Sequence, residues 1–382
     1  MTFPIPAEVA AALLDWVAAG NLRSLPWRNA PRDPYAVWIS EVMLQQTQVA
    51  TAIPYLARWL ARFPTVQALA AAPLADVLKQ WEGLGYYSRA RNLHQAAQLL
   101  VQHHQGRLPA ERTALLALPG IGRYTAGALL SLAFGQRAAA LDGNAVRVLA
   151  RVYDESGEVG RSATTTALWH HAEALAAAVP VAEQAGPLNE ALMDLGATLC
   201  LPQAPRCLIC PLYALCLARQ RGTQEERPVR AARKPLPHLD VSAAVLRRPG
   251  YPQQFLIAQR PLGGMLGGLW EFPGGKQQAG ESISECLYRE MREELGVDVA
   301  VGRHVASIKH AYTHFRITLH AFECTLLRGE PQPLGVADWC WVTLDDLSRF
   351  SFAVTDQKII AALGAMAVDP SPPAPLPGGE GS

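Results

Sequence analysis

Two carboxyl groups in contrasting surroundings can break a glycosidic bond, one protonating the leaving group while the other stabilises the sugar cation. Glu41 and Asp142 are the pair this chain offers. Glu41 lies in Val37-Trp38-Ile39-Ser40-Glu41-Val42-Met43-Leu44-Gln45-Gln46, a helical stretch of mostly apolar neighbours. A carboxyl placed there loses solvation, so its pKa rises and it stays protonated as a general acid. The alternative is an ordinary surface Glu on an amphipathic helix. Asp142 precedes Gly143-Asn144 and a helix expected over residues 145–152. Backbone donors and the helix dipole favour its charged form, which suits it to face a cationic sugar; the alternative is a plain N-cap.

Three further patterns carry chemistry. Cys200, Cys207, Cys210 and Cys216 are spaced C-x6-C-x2-C-x5-C and account for four of the seven cysteines. Such clustering argues for metal ligation rather than a disulfide framework. Tetrahedral zinc and an iron–sulfur cube both satisfy four thiolates in so short a loop, and spacing alone does not choose between them. In Leu118-Pro119-Gly120-Ile121-Gly122-Arg123-Tyr124, Gly120 and Gly122 allow a tight turn. Its N–H groups would open at the start of the next helix, which favours an anionic phosphate. Taken alone, it could be only a turn. Finally, Gly275, Glu281, Arg289, Glu290, Glu293, Glu294 and Gly296, with apolar Met291 and Val297, fit G-x5-E-x7-R-E-U-x-E-E-x-G-U. Seven fixed residues match one register by chance at on the order of 10⁻⁸. This is a Nudix signature: Glu290, Glu293 and Glu294 share a helix face able to hold Mg²⁺ against a diphosphate. The alternative is a solvated acidic face.

The elements that must position these residues fall into two sets. At 382 residues, 50% apolar and 18% charged, the chain is too long for one core. Residues 5–220 read as helix after helix, with Ala/Leu-rich segments at 7–18, 49–61 and 113–117 cut by Pro- or Gly-bearing turns. Residues 220–237 mix Arg221, Arg227, Arg230, Arg233 and Lys234 with prolines, a connector that either follows DNA phosphates or is simply solvated. Beyond it, 239–246, 254–259 and 314–324 alternate like strands and 281–295 is a charged helix. The expected architecture is therefore an all-α domain over 1–219, a linker over 220–237, an α+β domain over 238–366 and a disordered tail over 367–382. Residues 1–237 hold 22 Lys/Arg against 17 Asp/Glu, and the remainder 12 against 16, so the net +1 divides into +5 and −4. A mildly basic front half permits a polyanionic partner without establishing one. No apolar stretch is long enough to span a bilayer, and no basic segment leads into the first apolar run, so a cytoplasmic protein is expected, nucleoid-associated if bacterial.

The cysteine loop about 80 residues after the Gly-x-Gly turn resembles the endonuclease III, or helix–hairpin–helix, superfamily of DNA glycosylases. Leu25-Pro26-Trp27-Arg28, residues 38–49, Gly83-Leu84-Gly85-Tyr86-Tyr87-Ser88-Arg89-Ala90-Arg91 and residues 141–151 extend the likeness to adenine DNA glycosylases of the MutY type. That resemblance implies a [4Fe–4S] cluster on the four cysteines and Glu41 as acid. It implies Asp142 as the sugar-facing carboxylate supported by Asn144, with Trp27 and Arg28 bordering the adenine pocket. Gln45, Gln46 and Tyr86 would fill the gap left by a flipped base. Relatives that also cleave the strand carry a Schiff-base Lys where this chain has Tyr124, so base hydrolysis without efficient strand scission is expected. The family ends in a Nudix-like domain that recognises 8-oxoguanine, often with a decayed acidic helix; here every acidic position remains. Tyr312-Thr313-His314 falls where a Phe-Ser-His loop inspects the oxidised base. The expected partner is duplex DNA containing adenine opposite 8-oxoguanine or guanine, bound by a monomer. A nucleotide pyrophosphohydrolase with an attached DNA-binding domain is the second reading, and a non-catalytic damage sensor the third.

Overall fold

The computed structural model describes residues 3–29, 31–232 and 235–368. Helices occupy the front: α1 (Pro6–Ala18), α2 (Pro34–Leu44), α3 (Val49–Arg62), α4 (Val66–Ala71), α5 (Leu74–Trp81), α6 (Ser88–His104), α7 (Arg112–Leu116) and α8 (Arg123–Ala128). A π turn over Leu129–Ala133 continues α8, and α9 (Gly143–Val152), α10 (Ser162–Ala178), α11 (Ala185–Thr198) and α12 (Leu217–Arg221) follow. Then come β1 (His238–Arg248), β2 (Tyr251–Gln259), β3 (Trp270–Glu271), α13 (Ile283–Leu295), β4 (Asp298–Ala311), β5 (Arg316–Arg328), β6 (Asp338–Thr343) and α14 (Val354–Val368). The all-α front and α+β rear are those expected from periodicity. Of the tail expected over 367–382, residues 369–382 lie outside the described residues, and α14 runs two residues past its expected boundary.

Contacts divide the chain into two units: Met1–Ala72 with Arg91–Arg233, and Pro73–Ala90 with Lys234–Ser382. This is not the linear division at 219 and 238. Helix α5 and the loop after it fold with the sheet, where Lys79 and Glu82 bond the backbone of residues 350 and 352. The connector departs from expectation as well. Arg221 and Arg227 each pair with Asp154 at 2.9 Å, and the Val229 carbonyl accepts from the Val159 N–H at 2.8 Å. Those two arginines are spent within the protein. Arg233 and Lys234 lie outside the described residues.

In the first unit, Ala145, Val148, Leu149 and Val152 sit at i, i+3, i+4 and i+7 of α9 and bury against α11 and α10. That packing fixes the start of α9, where Asp142 stands. In the second, the sheet runs β3-β2-β1-β5-β4, with β6 beside β2; β1 and β5 are parallel and the other pairs antiparallel. Helix α13 opens with a Ser282–Glu285 capping box and ends at Gly296 in the left-handed conformation, φ 69°. It lays Leu287, Met291 and Leu295 on one sheet face, while Ile359 and Leu363 of α14 cover the other.

Candidate active site

Helix α2 starts where the Asp33 side chain accepts from the Tyr35 N–H at 3.0 Å, with Pro34 in the first turn. From Val37 to Met43 every residue of it is buried. Glu41 is therefore a carboxyl set in apolar packing, 4% exposed. The Tyr124 hydroxyl donates to Glu41 Oε2 at 2.5 Å. Burial lifts the Glu41 pKa to about 7; the Tyr124 bond opposes the shift, Asp142 and Glu190 add to it and Arg28 reduces it.

Asp142 caps α9, accepting from the Ala145 N–H at 2.6 Å and from Asn144 Nδ2 at 3.0 Å. Asn144 is held in turn by Arg147, whose Nη2 donates to its Oδ1 at 2.8 Å. The donors expected from the sequence are present, yet the Asp142 pKa lies above its ordinary value. Burial outweighs the backbone and Asn144 hydrogen bonds, a tertiary effect the local pattern does not carry.

Both carboxyls line one cavity of about 480 Å³. Trp27, Arg28, Gln45, Gln46, Tyr124 and Asn144 share its wall. Eight residues expected at the site thus meet around one space. Gln45 Nε2 donates to Thr125 Oγ1 at 3.3 Å, and exposed Gln46 has φ 58°, a backbone conformation uncommon for a non-glycine residue. The sequence reading missed Glu190 and Asp194. Arg28 pairs with Glu190 through Nε at 3.0 Å and with Asp194 through Nη1 at 2.7 Å, while Arg23 and Arg32 brace the same two carboxylates. Their signal was two acidic residues four apart inside a mostly apolar helix.

The turn after α7 has Gly120 at φ 77°, where a Cβ would come within 2.8 Å of the Asn92 Cβ. Gly122 is the exposed N-cap of α8, with no side chain capping the first turn. All four cluster cysteines line one hollow beside Val148, Leu195 and Leu212. Buried Arg151 braces that loop, donating to the Leu201 and Pro202 carbonyls at 2.6 and 3.0 Å and lying 3.2 Å from Cys200 Sγ. Burial pushes the Cys210 thiol to about 12 and that of Cys216 to about 11. Among the described residues, no three His, Cys, Asp or Glu side chains converge as they would around a single metal ion.

Residues 39–173 match the HhH-GPD superfamily of base excision DNA repair proteins, and residues 242–362 match the NUDIX domain. The human adenine DNA glycosylase is 35% identical, the alignment covering 92% of this chain and 74% of that protein. The chain belongs to the adenine DNA glycosylase family. The adenine DNA glycosylase of Buchnera aphidicola subsp. Acyrthosiphon pisum is 39% identical over 59% of this chain and 63% of its own length. Among solved structures, a thermostable thymine-DNA glycosylase is 31% identical with a TM-score of 0.49, covering 56% of this chain and 95% of that one.

In the second unit of this glycosylase, the β4–β5 turn carries Tyr312, Thr313 and His314. Tyr312 is partly buried against Phe315 and His310, whereas Thr313 and His314 are exposed. Tyr86 is 41% exposed with φ 47°, while Tyr87 beside it is buried packing. The acidic helix carries its own ion pairs. Arg289 pairs with Glu281 at 2.8 Å, Glu290 at 2.8 Å and Glu293 at 3.1 Å, one cation among three carboxylates. Glu294 is withdrawn by burial, its pKa raised to about 7, and accepts from the Gly274 N–H at 3.2 Å. Gly275 leaves room for the Glu290 carboxyl, which would lie 2.2 Å from a Cβ there. Among the described residues the three glutamates form no group that converges on one ion.

Proposed function

We propose that this glycosylase flips adenine out of a pair with 8-oxoguanine or guanine and excises it by hydrolysis alone. The observation that carries the reading is Glu41: a buried carboxyl with a pKa of about 7, sharing one cavity with Asp142. Glu41 gives its proton to a ring nitrogen of the adenine as the bond to the sugar breaks and its electron pair passes to the base. Asp142, ionised and held by Asn144, faces the sugar cation until water adds to it, the water's proton passing to the Glu41 carboxylate and restoring the acid. Arg28, oriented by Glu190 and Asp194, and Trp27 border the base. Gln45 and Gln46 occupy the vacated stack and Tyr86 of the second unit serves as a wedge, which offsets part of the few kcal/mol that flipping costs. Tyr124 has no amine with which to form an imine, so the strand stays intact.

The glycines of the 118–122 turn and the open first turn of α8 suit a DNA phosphate. Cys200, Cys207, Cys210 and Cys216 line one hollow and would hold the [4Fe–4S] cluster that the family resemblance implies, with Arg151 fixing their loop. The second unit reads the oxidised base through Tyr312, Thr313 and His314, a role supported by the exposure of Thr313 and His314 on their turn.

Incubation with a duplex carrying adenine opposite 8-oxoguanine, followed by alkali, tests this reading. Alkali should reveal a break that is absent before it, and Glu41→Gln and Asp142→Asn should each abolish that break. Undiminished excision by both variants would remove the site assignment. The same preparations should contain iron and inorganic sulfide in equal amounts.

A further inference from the structure

We propose that Lys79 and Glu82 are positioning residues. They fasten the 83–87 loop to the backbone of residues 350–352, so that Tyr86 and Thr313 meet DNA as one preassembled pair. Residues 350–352 form a short extended segment with two polar edges. On one edge the Ser351 carbonyl accepts from the Trp270 N–H at 2.8 Å, extending the sheet at β3. The other edge presents the Phe350 carbonyl and the Phe352 N–H, groups that a neighbouring strand would ordinarily satisfy. Side chains from the front half of the chain take that strand's place. Lys79 Nζ donates to the Phe350 carbonyl at 2.8 Å, and Glu82 Oε1 accepts from the Phe352 N–H at 2.8 Å. Lys79 Nζ also bonds Glu82 Oε2 at 2.8 Å, closing the clamp. A part-exposed ion pair by itself contributes little. Here the two charges satisfy two main-chain groups of a distant segment, and that sets the register between α5 and the sheet. Leu78 adds an apolar contact beside it, lying 3.1 Å from where a Cβ on Gly268 would be.

The clamp leads directly into the loop. Gly83, Gly85 and Tyr86 all have positive φ, at 96°, 71° and 47°. Trp81 Nε1 donates to the Gly85 carbonyl at 3.0 Å, Arg89 Nη2 donates to the Leu84 and Gly85 carbonyls at 3.1 Å each, and the Tyr87 hydroxyl accepts from the Gly83 N–H at 3.2 Å. A loop so constrained transmits the position of its base to its tip. At the tip the Tyr86 and Thr313 hydroxyls are hydrogen-bonded. The wedge and the reader are thus linked at both ends, and preorganisation of that kind strengthens binding by removing ordering costs. The inference rests on the proposed reading of 8-oxoguanine by the 312–314 turn.

Single-turnover excision by the full-length protein, on duplexes with adenine opposite 8-oxoguanine or guanine, tests it. Glu82→Ala should lower the ratio of kcat/KM values between the two duplexes by at least about fivefold, the low end of ordinary coupling between sites. Its rate constant on the guanine duplex at saturating enzyme should fall less than that on the 8-oxoguanine duplex. Glu82→Gln, whose amide oxygen still accepts the Phe352 N–H, should restore the ratio, which a loss of bulk stability would not explain. Should Glu82→Ala fail to fold, Lys79→Met carries the test by the same criterion. An unaltered ratio in these variants, when Thr313→Val does lower it, overturns the clamp alone. An unaltered ratio in Thr313→Val overturns the reading on which the clamp depends.

Discussion

Glu41 keeps its proton up to about pH 7 because α2 sets it among apolar side chains, and this fixes the sign of the pH dependence. An acid that must be protonated to act loses activity as pH rises through its pKa. The kcat/KM for excision, which reports the free enzyme, should therefore fall above about pH 7 on account of Glu41. The Tyr124 hydrogen bond lowers that pKa, since it is offered to the carboxylate. Tyr124→Phe should move the falling limb to higher pH, and a pH series on native and variant protein checks the shift. A limb that stays in place would show that Tyr124 does not tune the acid. Glu41 was legible because its surroundings are local: seven consecutive buried residues of one helix. The electrostatics of Asp142 were only half legible. Its capping donors are neighbours in sequence, but the burial that outweighs them is a product of the tertiary fold.

Elements place these groups through close approaches that tolerate no added atom. Gly196 of α11 lies against the start of α9, where a Cβ would sit 2.6 Å from the Asn144 Cβ and 3.0 Å from its backbone. Gly196→Ala must push the two helices apart or shift residues 142–144. Overpacking of this kind costs about 1–3 kcal/mol. A displacement of about 1 Å at reacting groups can cost on the order of 100-fold in rate. The expected outcome is a folded protein whose helical circular dichroism is intact, with a single-turnover rate constant reduced at least about tenfold. A native rate would mean that α9 yields without moving Asp142. Helices such as α2, α9 and α13 could be read from the sequence because caps and periodicity declare them: Asp33, Asp142 and the Ser282–Glu285 box stand at their starts. The Glu190–Asp194 brace was not legible. Its meaning depends on Arg23, Arg28 and Arg32, more than 150 residues away, and sequence spacing carries no such pairing.

At the scale of the molecule, sequence order misleads about what folds with what. A Pro-rich basic connector marks the change from helical to alternating pattern, and cutting there looks clean. Helix α5 shows why it is not, for Lys79, Glu82 and Leu78 at its end meet residues beyond 235. Removing residues 235–382 would leave Lys79 and Glu82 without the 350–352 backbone, Leu78 without Gly268, and the Tyr86 hydroxyl without Thr313. Val77, Leu78 and Trp81 are at most 2% exposed in the whole chain. An apolar side chain returned to water forfeits about 1.5–3 kcal/mol, so even one of them matters against ordinary domain stabilities of about 5–15 kcal/mol. All residues around the Glu41–Asp142 cavity, by contrast, belong to the first unit. A fragment ending at residue 232 should therefore keep adenine excision opposite guanine, lose its preference for 8-oxoguanine, and exchange amide protons rapidly across residues 73–90. Native-like protection of that segment in the fragment would mean that α5 takes its order from the first unit, and the two-unit division would then be wrong.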